Sequence, residues 1–387
     1  MVLVKQSQAK VCTPYISYEY QALQKGFIRL FVLEPGSYHD VIVGKLQSSQ
    51  FGKEDEDGES DNHTHDDYEA LSYVWGSKEN HRYIFIPQTQ LSIISITTNL
   101  DVALRSLRSQ DKPRVLWIDA ICIDQSNDEE KSFQVALMGQ IFRQARCVLA
   151  WLGPEADNSD VAMRAIQRLG SRITVNWPPC AEGTEPYEIR AAEGIVGYNW
   201  DYASIGPPFE YQELRSIHNL LSRDWFQRLW IRQEIHLANS MAVIICGTTQ
   251  VRWIHFRNAM TALFTQKPSS PYYYNDFRPL MAQLKGFIYQ GRNIDLLALR
   301  ECFDHTYCLN QRDRIYAVMD FLTERRDLQI VPDYTKTVMQ VYKDLVVQWV
   351  RRYKSLDIIA ACRLQPDSPF GCRYLLPRIM LVSLCLF

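Results

Sequence analysis

The segment RVLWIDAICI, residues 114–123, is a nearly continuous apolar run. Such a run is typical of a strand that is covered on both faces of a parallel sheet. The segments YEALSYVW at residues 68–75 and CVLAWL at residues 147–152 show similar patterns on either side of it. Between residues 133 and 145, apolar side chains recur every four positions, which is the spacing of a helix with one buried face. This alternation of strand and helix predicts an α/β fold with a parallel sheet.

The segments that flank this core have different patterns. Residues 26–46 alternate around a turn-forming sequence, so they predict two short strands. Residues 52–67 contain eight acidic side chains and no apolar one, which predicts a flexible, solvated loop. A fourth core strand is predicted at residues 241–246, and most of the chain beyond residue 250 has a helical pattern.

The composition excludes several classes of protein. The 387-residue chain has 42 basic and 44 acidic residues, so its net charge of −2 gives no attraction to nucleic acid. The ten cysteines form no Cys-x-x-Cys pair, and we therefore predict no metal site. Motifs of dinucleotide folds, P-loop nucleotidases, zinc proteases and α/β-hydrolases are absent from the sequence.

The apolar segments do not predict targeting to a membrane. The first ten residues contain no continuous apolar region of the kind found in a signal peptide. The longest apolar run, residues 375–387, includes a proline and an arginine and is too short to cross a bilayer. We therefore expect a cytoplasmic protein without a membrane span, with reduced cysteines.

Three segments combine tryptophan with acidic and small residues. They are YEALSYVWG at residues 68–76, LWIDAICIDQ at residues 116–125 and WFQRLWIRQE at residues 225–234. The first two place polar side chains at or just past the carboxyl ends of predicted strands, which is where open parallel sheets bind ligands.

These segments resemble the heterokaryon incompatibility (HET) domain family of filamentous fungi. The resemblance extends to Glu130, Gln134, Met138, AWLG at residues 150–153, Ala238, DRIYA at residues 313–317 and PDY at residues 332–334. The chain departs from the family at Asp124, where asparagine is usual. It also ends in SPFGCRYLLPRIMLVSLCLF where many members have a Leu-Pro-Ser-Trp-Val-Pro-Asp-Trp-like segment, which is the ending expected of a truncated or mis-spliced chain.

The resemblance implies a TIR-like, flavodoxin-like parallel sheet core with insertions, followed by a mostly helical C-terminal region. Under this resemblance the chain divides into four parts: N-terminal strands packing on the core at 1–50, an acidic flexible loop at 51–67, the HET domain at 68–250, and a helical region at 251–387.

The same resemblance nominates one catalytic residue. Some TIR domains cleave NAD with a glutamate in a Trp-x-x-x-Glu helix, and Trp230 and Glu234 repeat that spacing. Four residues are about one helical turn, so the indole and the carboxylate are expected on one face. We therefore predict Glu234 as the catalytic residue. The alternative is a structural acid paired with Arg228 or Arg232.

Six further residues are predicted to bind a ligand, five at or near the strand ends and one on the helix that carries Glu234. They are Ser72, Tyr73, Trp75, Trp117, Asp119 and Trp230. Aromatic side chains can stack on a base or a nicotinamide ring, and they can equally pack in a core. Asp119 can contact a ligand or cap the following turn.

The resemblance implies a role in non-self recognition and programmed cell death. Its expected partners are proteins of an incompatibility system, and its active form is expected to be a homo-oligomer. No cofactor is required, and NAD is the expected substrate if the domain is an NAD glycohydrolase. The alternative is a biosynthetic or accessory protein of a secondary-metabolite gene cluster, where an aromatic-rich pocket would hold an apolar substrate.

Overall fold

The computed structural model describes residues 16–51, 67–87, 92–176, 188–195, 209–265, 306–322 and 327–360, with a few isolated positions between 277 and 288. Residues 52–66 of the predicted acidic loop and the C-terminal residues 361–387 lie outside the described residues.

Twelve strands are described. They are β1 (Ile16–Ser17), β2 (Phe27–Leu33), β3 (Gly44–Gln50), β4 (Glu69–Tyr73), β5 (His81–Ile86), β6 (Ser92–Thr97), β7 (Arg114–Trp117), β8 (Cys147–Trp151), β9 (Ile173–Asn176), β10 (Glu188–Ala191), β11 (Val243–Cys246) and β12 (Thr249–Arg252). Seven of them form the central sheet in the order β12-β11-β8-β4-β7-β2-β3. The strands β1, β6 and β5 form a small second sheet, and β9 pairs with β10.

The centre of the large sheet is parallel. The strands β7, β4, β8 and β11 pair in parallel with their neighbours, whereas β2, β3 and β12 add to the two edges in antiparallel orientation. Numbered along the chain, the four parallel strands stand in the order 2-1-3-4, which is the order of flavodoxin-like doubly wound folds. The predicted α/β fold with a parallel core is confirmed, and the antiparallel edges make the complete sheet mixed.

The described helices are α1 (Thr98–Leu107), α2 (Asp119–Cys122), α3 (Asp128–Gln144), α4 (Ser159–Gly170), α5 (Tyr211–Leu221), α6 (Ile231–His236), α7 (Trp253–Thr265), α8 (Asp313–Tyr316), α9 (Val338–Tyr353) and α10 (Asp357–Ala360). Short 3₁₀ turns occupy Asp224–Gln227 and Met319–Phe321. Helix α6 packs on β4, β8 and α3, whereas α4 packs on α5, α7 and the β11–β12 edge. The predicted helical character beyond residue 250 is confirmed for the described residues.

One predicted strand is too long. Strand β7 ends at Trp117, and the next residues form the single turn of α2 rather than more strand. Ile118, Ile121 and Cys122 are fully buried in this turn. A short apolar run has no period that separates a buried strand from a buried helical turn, so the pattern alone overestimated the strand.

None of the described helices has the length and apolar character that crossing a bilayer requires. Among the same residues, no group of three or more histidine, cysteine, aspartate or glutamate side chains is arranged to hold a metal ion.

Candidate functional site

Ser72 lies near the carboxyl end of the central strand β4 and connects two other elements. Its side chain is 1% exposed. The Ser72 hydroxyl donates a hydrogen bond to the Glu234 carboxylate, and it accepts one from the Trp225 indole N–H at 2.9 Å. The two interactions use both hydrogen-bonding functions of the hydroxyl. Ser72 therefore links the sheet to the segment that carries the predicted catalytic residue.

Glu234 comes from α6, which begins directly after Trp230. The Glu234 amide N–H donates to the Trp230 carbonyl at 3.1 Å, and this bond belongs to the first turn of the helix. Because α6 packs on β4 and β8, the Glu234 side chain is directed into the sheet and is only 2% exposed. A buried carboxylate requires hydrogen bonds or an opposite charge.

Arg228 supplies the opposite charge. Its guanidinium donates to both Glu234 carboxylate oxygens, at 3.3 and 3.4 Å. The Arg228 side chain is 18% exposed, so solvent reaches this side of the pair. The structure thus places Glu234 in an ion pair with Arg228, one of the two alternatives that the sequence offered. The other arginine, Arg232, is buried and lies over the Phe287 ring at 4.9 Å.

A second carboxylate, Asp119, stands close to this pair. It begins α2 directly after β7 and accepts hydrogen bonds from the Trp75 indole at 2.8 Å and from the Ala120 amide at 2.7 Å. Burial raises the pKa of Asp119 from 3.8 to about 6; the positive charge of Arg228 opposes this rise and the Glu234 carboxylate adds to it. Two acids with different environments can divide acid and base roles between them.

Tyr73 is the last residue of β4 and is 2% exposed. Successive side chains of a strand point to opposite faces, so Tyr73 and Ser72 face different sides of the sheet. Burial raises the pKa of the Tyr73 phenol well above its ordinary value, and the nearby Asp119 carboxylate adds to this effect. Tyr73 therefore stays protonated beside the acidic groups.

Two of the predicted ligand-binding residues lie elsewhere. Trp117 is fully buried and packs edge-on against Phe142, with ring centroids 5.5 Å apart. The Trp230 indole N–H donates to the Asp313 carboxylate at 3.0 Å. Trp230 has helical backbone angles and lies one turn before Glu234, and its indole N–H is used by Asp313 of the C-terminal region.

The indole that reaches the cluster belongs instead to Trp225. It lies in the 3₁₀ turn Asp224–Gln227, which is separated from α6 by non-helical backbone. Trp225 is not among the predicted site residues, because the directions of the two tryptophans depend on this break in the helix, which no local pattern marked.

The resulting cluster lies at the edge of the parallel sheet where doubly wound folds bind ligands. In the register of the sheet, Ser72 of β4 pairs with Ala150 of β8. These strands are the first and third of the parallel set, and ligands of doubly wound folds bind outside the carboxyl ends of the strands where the order reverses. We refer to Ser72, Trp225, Arg228, Glu234 and Asp119 as the Glu234 cluster.

A cavity of about 820 Å³ lies away from the Glu234 cluster. The side chains of Leu149, Trp151 and Ile245 contribute to its wall, and none of the seven predicted site residues lines it. Its location gives no support to the predicted ligand contacts.

Comparison with known proteins agrees with the motifs that form the cluster. Residues 68–234 match the family model described as Heterokaryon incompatibility protein (HET). A curated protein of Neurospora crassa, "Heterokaryon incompatibility protein 6, OR allele", is 29% identical over 352 residues, which cover 76% of this chain and 49% of that protein. The chain thus spans about half the length of this relative. No solved structure matches the chain.

Proposed function

Because residues 68–234 match the family model of heterokaryon incompatibility proteins, we propose that this chain acts in fungal non-self recognition and triggers cell death by cleaving NAD at Glu234. The buried Glu234 carboxylate at the switch in strand order is the observation that carries the proposal. The name of the Neurospora relative supports the recognition role. In this proposal the trigger is a protein partner, and the active form is a cytoplasmic homo-oligomer.

The proposed chemistry follows from the charges that change when the glycosidic bond of NAD breaks. When the glycosidic bond of NAD breaks, its electron pair goes to the cationic nicotinamide ring, which leaves as a neutral molecule. The ribose becomes oxocarbenium-like, and a carboxylate held beside its anomeric carbon stabilises that positive charge. In this scheme Glu234 is the carboxylate, and Ser72 holds it in a fixed orientation.

Water completes the reaction by adding to the anomeric carbon and losing a proton. Asp119, with a pKa of about 6, is mostly ionised at pH 7 and is therefore able to accept that proton. Its partner Trp75 orients the carboxylate through the indole N–H. In this proposal the two acids divide the work: Glu234 stabilises charge and Asp119 moves a proton.

Substrate must also compete with Arg228 for the Glu234 carboxylate. Both contacts of the guanidinium are long, at 3.3 and 3.4 Å, compared with about 2.7–2.9 Å in a strong charge-assisted hydrogen bond. Arg228 is also the partly exposed member of the pair. We therefore propose that the guanidinium moves aside when the nicotinamide riboside enters.

The test is nicotinamide release from NAD by the purified full chain at high protein concentration. Glu234→Gln preserves size and removes the charge, so we expect the rate to fall by about 100-fold or more. Glu79→Gln, at an exposed position, is the matched control and should retain the rate. Circular dichroism establishes that each variant is folded. Equal rates for the wild type and folded Glu234→Gln would refute the catalytic role.

A further inference from the structure

The segment that carries Arg228 and Glu234 is held by residues outside the matched domain. The Tyr307 amide donates to the Gln227 carbonyl at 2.7 Å, and the Leu229 amide donates to the Tyr307 carbonyl at 3.1 Å. These bonds form a parallel bridge between Arg228 and Tyr307. The backbone of Arg228 is thus fixed by a residue that lies more than 70 positions after the match ends.

Apolar packing reinforces this bridge. Leu229 is fully buried and packs in a small cluster with Ala317, Val318 and Leu322. On the other side of Trp230, the Gln233 amide group donates to the Asp320 carboxylate. The neighbours of both Arg228 and Glu234 therefore contact the same downstream segment.

Asp313 is the polar centre of these contacts. One oxygen accepts from the Trp230 indole at 3.0 Å, and the other accepts from the Tyr334 hydroxyl at 2.7 Å. Burial raises the pKa of the Asp313 carboxyl, and its two donors oppose that rise. Asp313 therefore contacts the residue whose carbonyl accepts the first-turn hydrogen bond of Glu234.

Tyr334, the second donor to Asp313, also contacts helix α3. The Tyr334 amide donates to the Ser132 hydroxyl at 2.8 Å, and the Lys131 ammonium lies 4.4 Å from the centroid of the Tyr334 ring. Helix α3 also packs on α6. The downstream segment therefore bridges two helices of the matched domain.

We propose that residues 306–322 and 327–334 form a brace, and that Asp313 is a positioning residue that orients Arg228 and Glu234 through Trp230. This inference rests on the proposed role of Glu234 for its effect on catalysis. The brace itself is defined by the contacts described above, so its effect on the cluster can be measured without any activity.

Two conservative variants separate positioning from general stability. Trp230→Phe and Tyr334→Phe each remove one hydrogen bond to Asp313 and keep an aromatic ring in place. Of these two hydrogen bonds, only the one from Trp230 involves a residue at the start of α6. Asp313→Ala keeps both rings and removes both acceptors, so it controls for ring-current effects and carries the test if Trp230→Phe does not fold.

The first readout is the indole ¹H–¹⁵N signal of Trp225, assigned by its loss in Trp225→Phe. This N–H donates to Ser72, which is bonded to Glu234, so its chemical shift reports on the cluster. The second readout is the kcat and KM of nicotinamide release. A displaced carboxylate should lower kcat on the order of 10-fold and leave KM nearly unchanged.

The brace predicts that the Trp225 signal moves in Trp230→Phe and Asp313→Ala of the full chain and stays in place in Tyr334→Phe. An unmoved signal in Asp313→Ala, or an equal shift in Tyr334→Phe, would overturn the inference. If the signals follow the predicted pattern and no variant or wild type releases nicotinamide, the brace stands and NAD cleavage fails.

Discussion

At the scale of single residues, the protein buries several polar side chains, and most of them form a hydrogen bond with a residue that is distant in the chain. Ser72, Trp225 and Glu234 are joined in this way although Ser72 and Glu234 are 162 positions apart in the chain. A separate buried pair joins Arg29 to Glu130 across 101 positions. Buried polar groups are costly when one partner is removed, because the remaining partner loses its water without gaining a replacement.

Ser72→Ala is therefore expected to destabilise the protein. It leaves the Trp225 indole N–H without its acceptor and removes one donor from Glu234, and the expected cost is about 2 kcal/mol. Urea unfolding measures this loss. Ser106→Ala, at an exposed position of α1, should change the free energy of unfolding by less than about 0.5 kcal/mol. Equal effects of the two substitutions would show that Ser72 has no special role.

The raised pKa of Asp119 predicts how the free energy of unfolding changes with pH. Its pKa is raised from 3.8 to about 6 in the folded state, so between these values the folded protein binds more protons than the unfolded chain. Stability from this group is present below about pH 4 and is lost as the pH rises to about 6. Asp119→Asn cannot ionise and should gain stability relative to the wild type across this window.

Denaturant titrations of both proteins at several pH values between 4 and 7 measure the difference. Other carboxyl groups titrate in both proteins, so their contributions cancel in the comparison. A difference that is independent of pH would contradict the raised pKa of Asp119.

Among single residues, the predicted set contains Ser72, Asp119 and Glu234 of the Glu234 cluster and omits Trp225. Ser72 and Asp119 follow from their positions at the ends of strands, and Glu234 came from the family resemblance. Trp225 was missed because the direction of a large side chain depends on where a helix begins, and helix boundaries are the least predictable part of a pattern.

At the scale of elements, α3 and α6 approach each other closely at Gly139. A Cβ atom on Gly139 would overlap the Asp320 carboxylate and lie 2.9 Å from the Gln233 amide nitrogen. Both atoms belong to the hydrogen bond that links α6 to the brace. The small residue in α3 thus permits a polar contact between two other elements.

Gly139→Ala is expected to destabilise the protein although alanine favours helices. The helix preference contributes about 1 kcal/mol, whereas overpacking against Asp320 and Gln233 costs about 1 to 3 kcal/mol and also disrupts their hydrogen bond. Thermal unfolding should show a lower Tm. Gln140→Ala, at the exposed neighbouring position, tests helix preference alone and should not lower the Tm. A higher Tm for Gly139→Ala would contradict the close approach.

The sequence predicted the four parallel strands because their segments are continuous apolar runs or are rich in residues that favour strands. It overestimated the strand that contains Trp117, since burial alone produces the same composition in a strand and in a helical turn. The role of β2 and β3 as part of the central sheet was not evident either, because strand pairing between distant segments leaves no local pattern.

At the scale of the whole molecule, the matched domain and the downstream region share one core. Trp225, Phe226 and Phe256 pack together with Phe287 in one aromatic cluster. Leu229 is fully buried in a cluster with the downstream residues Ala317, Val318 and Leu322. The strongest sequence motifs end at Glu234, and nothing in their pattern shows that later residues complete the packing around them.

A fragment that ends at residue 250 is therefore expected not to unfold cooperatively. It would lose the cover of Leu229 and the Asp313 partner of Trp230, and it would expose the aromatic cluster around Trp225. Denaturant unfolding followed by near-ultraviolet circular dichroism compares the fragment with the full chain. A sharp transition in the fragment, with native tryptophan signals, would contradict this dependence.

The most direct test of the central claim is the NAD content of fungal cells that express the full chain. We predict that NAD falls before growth stops, and that Glu234→Gln at equal protein level abolishes both effects while Glu79→Gln preserves them. Growth arrest that persists with Glu234→Gln, or that occurs at constant NAD, would contradict the claim that this carboxylate links recognition to cell death.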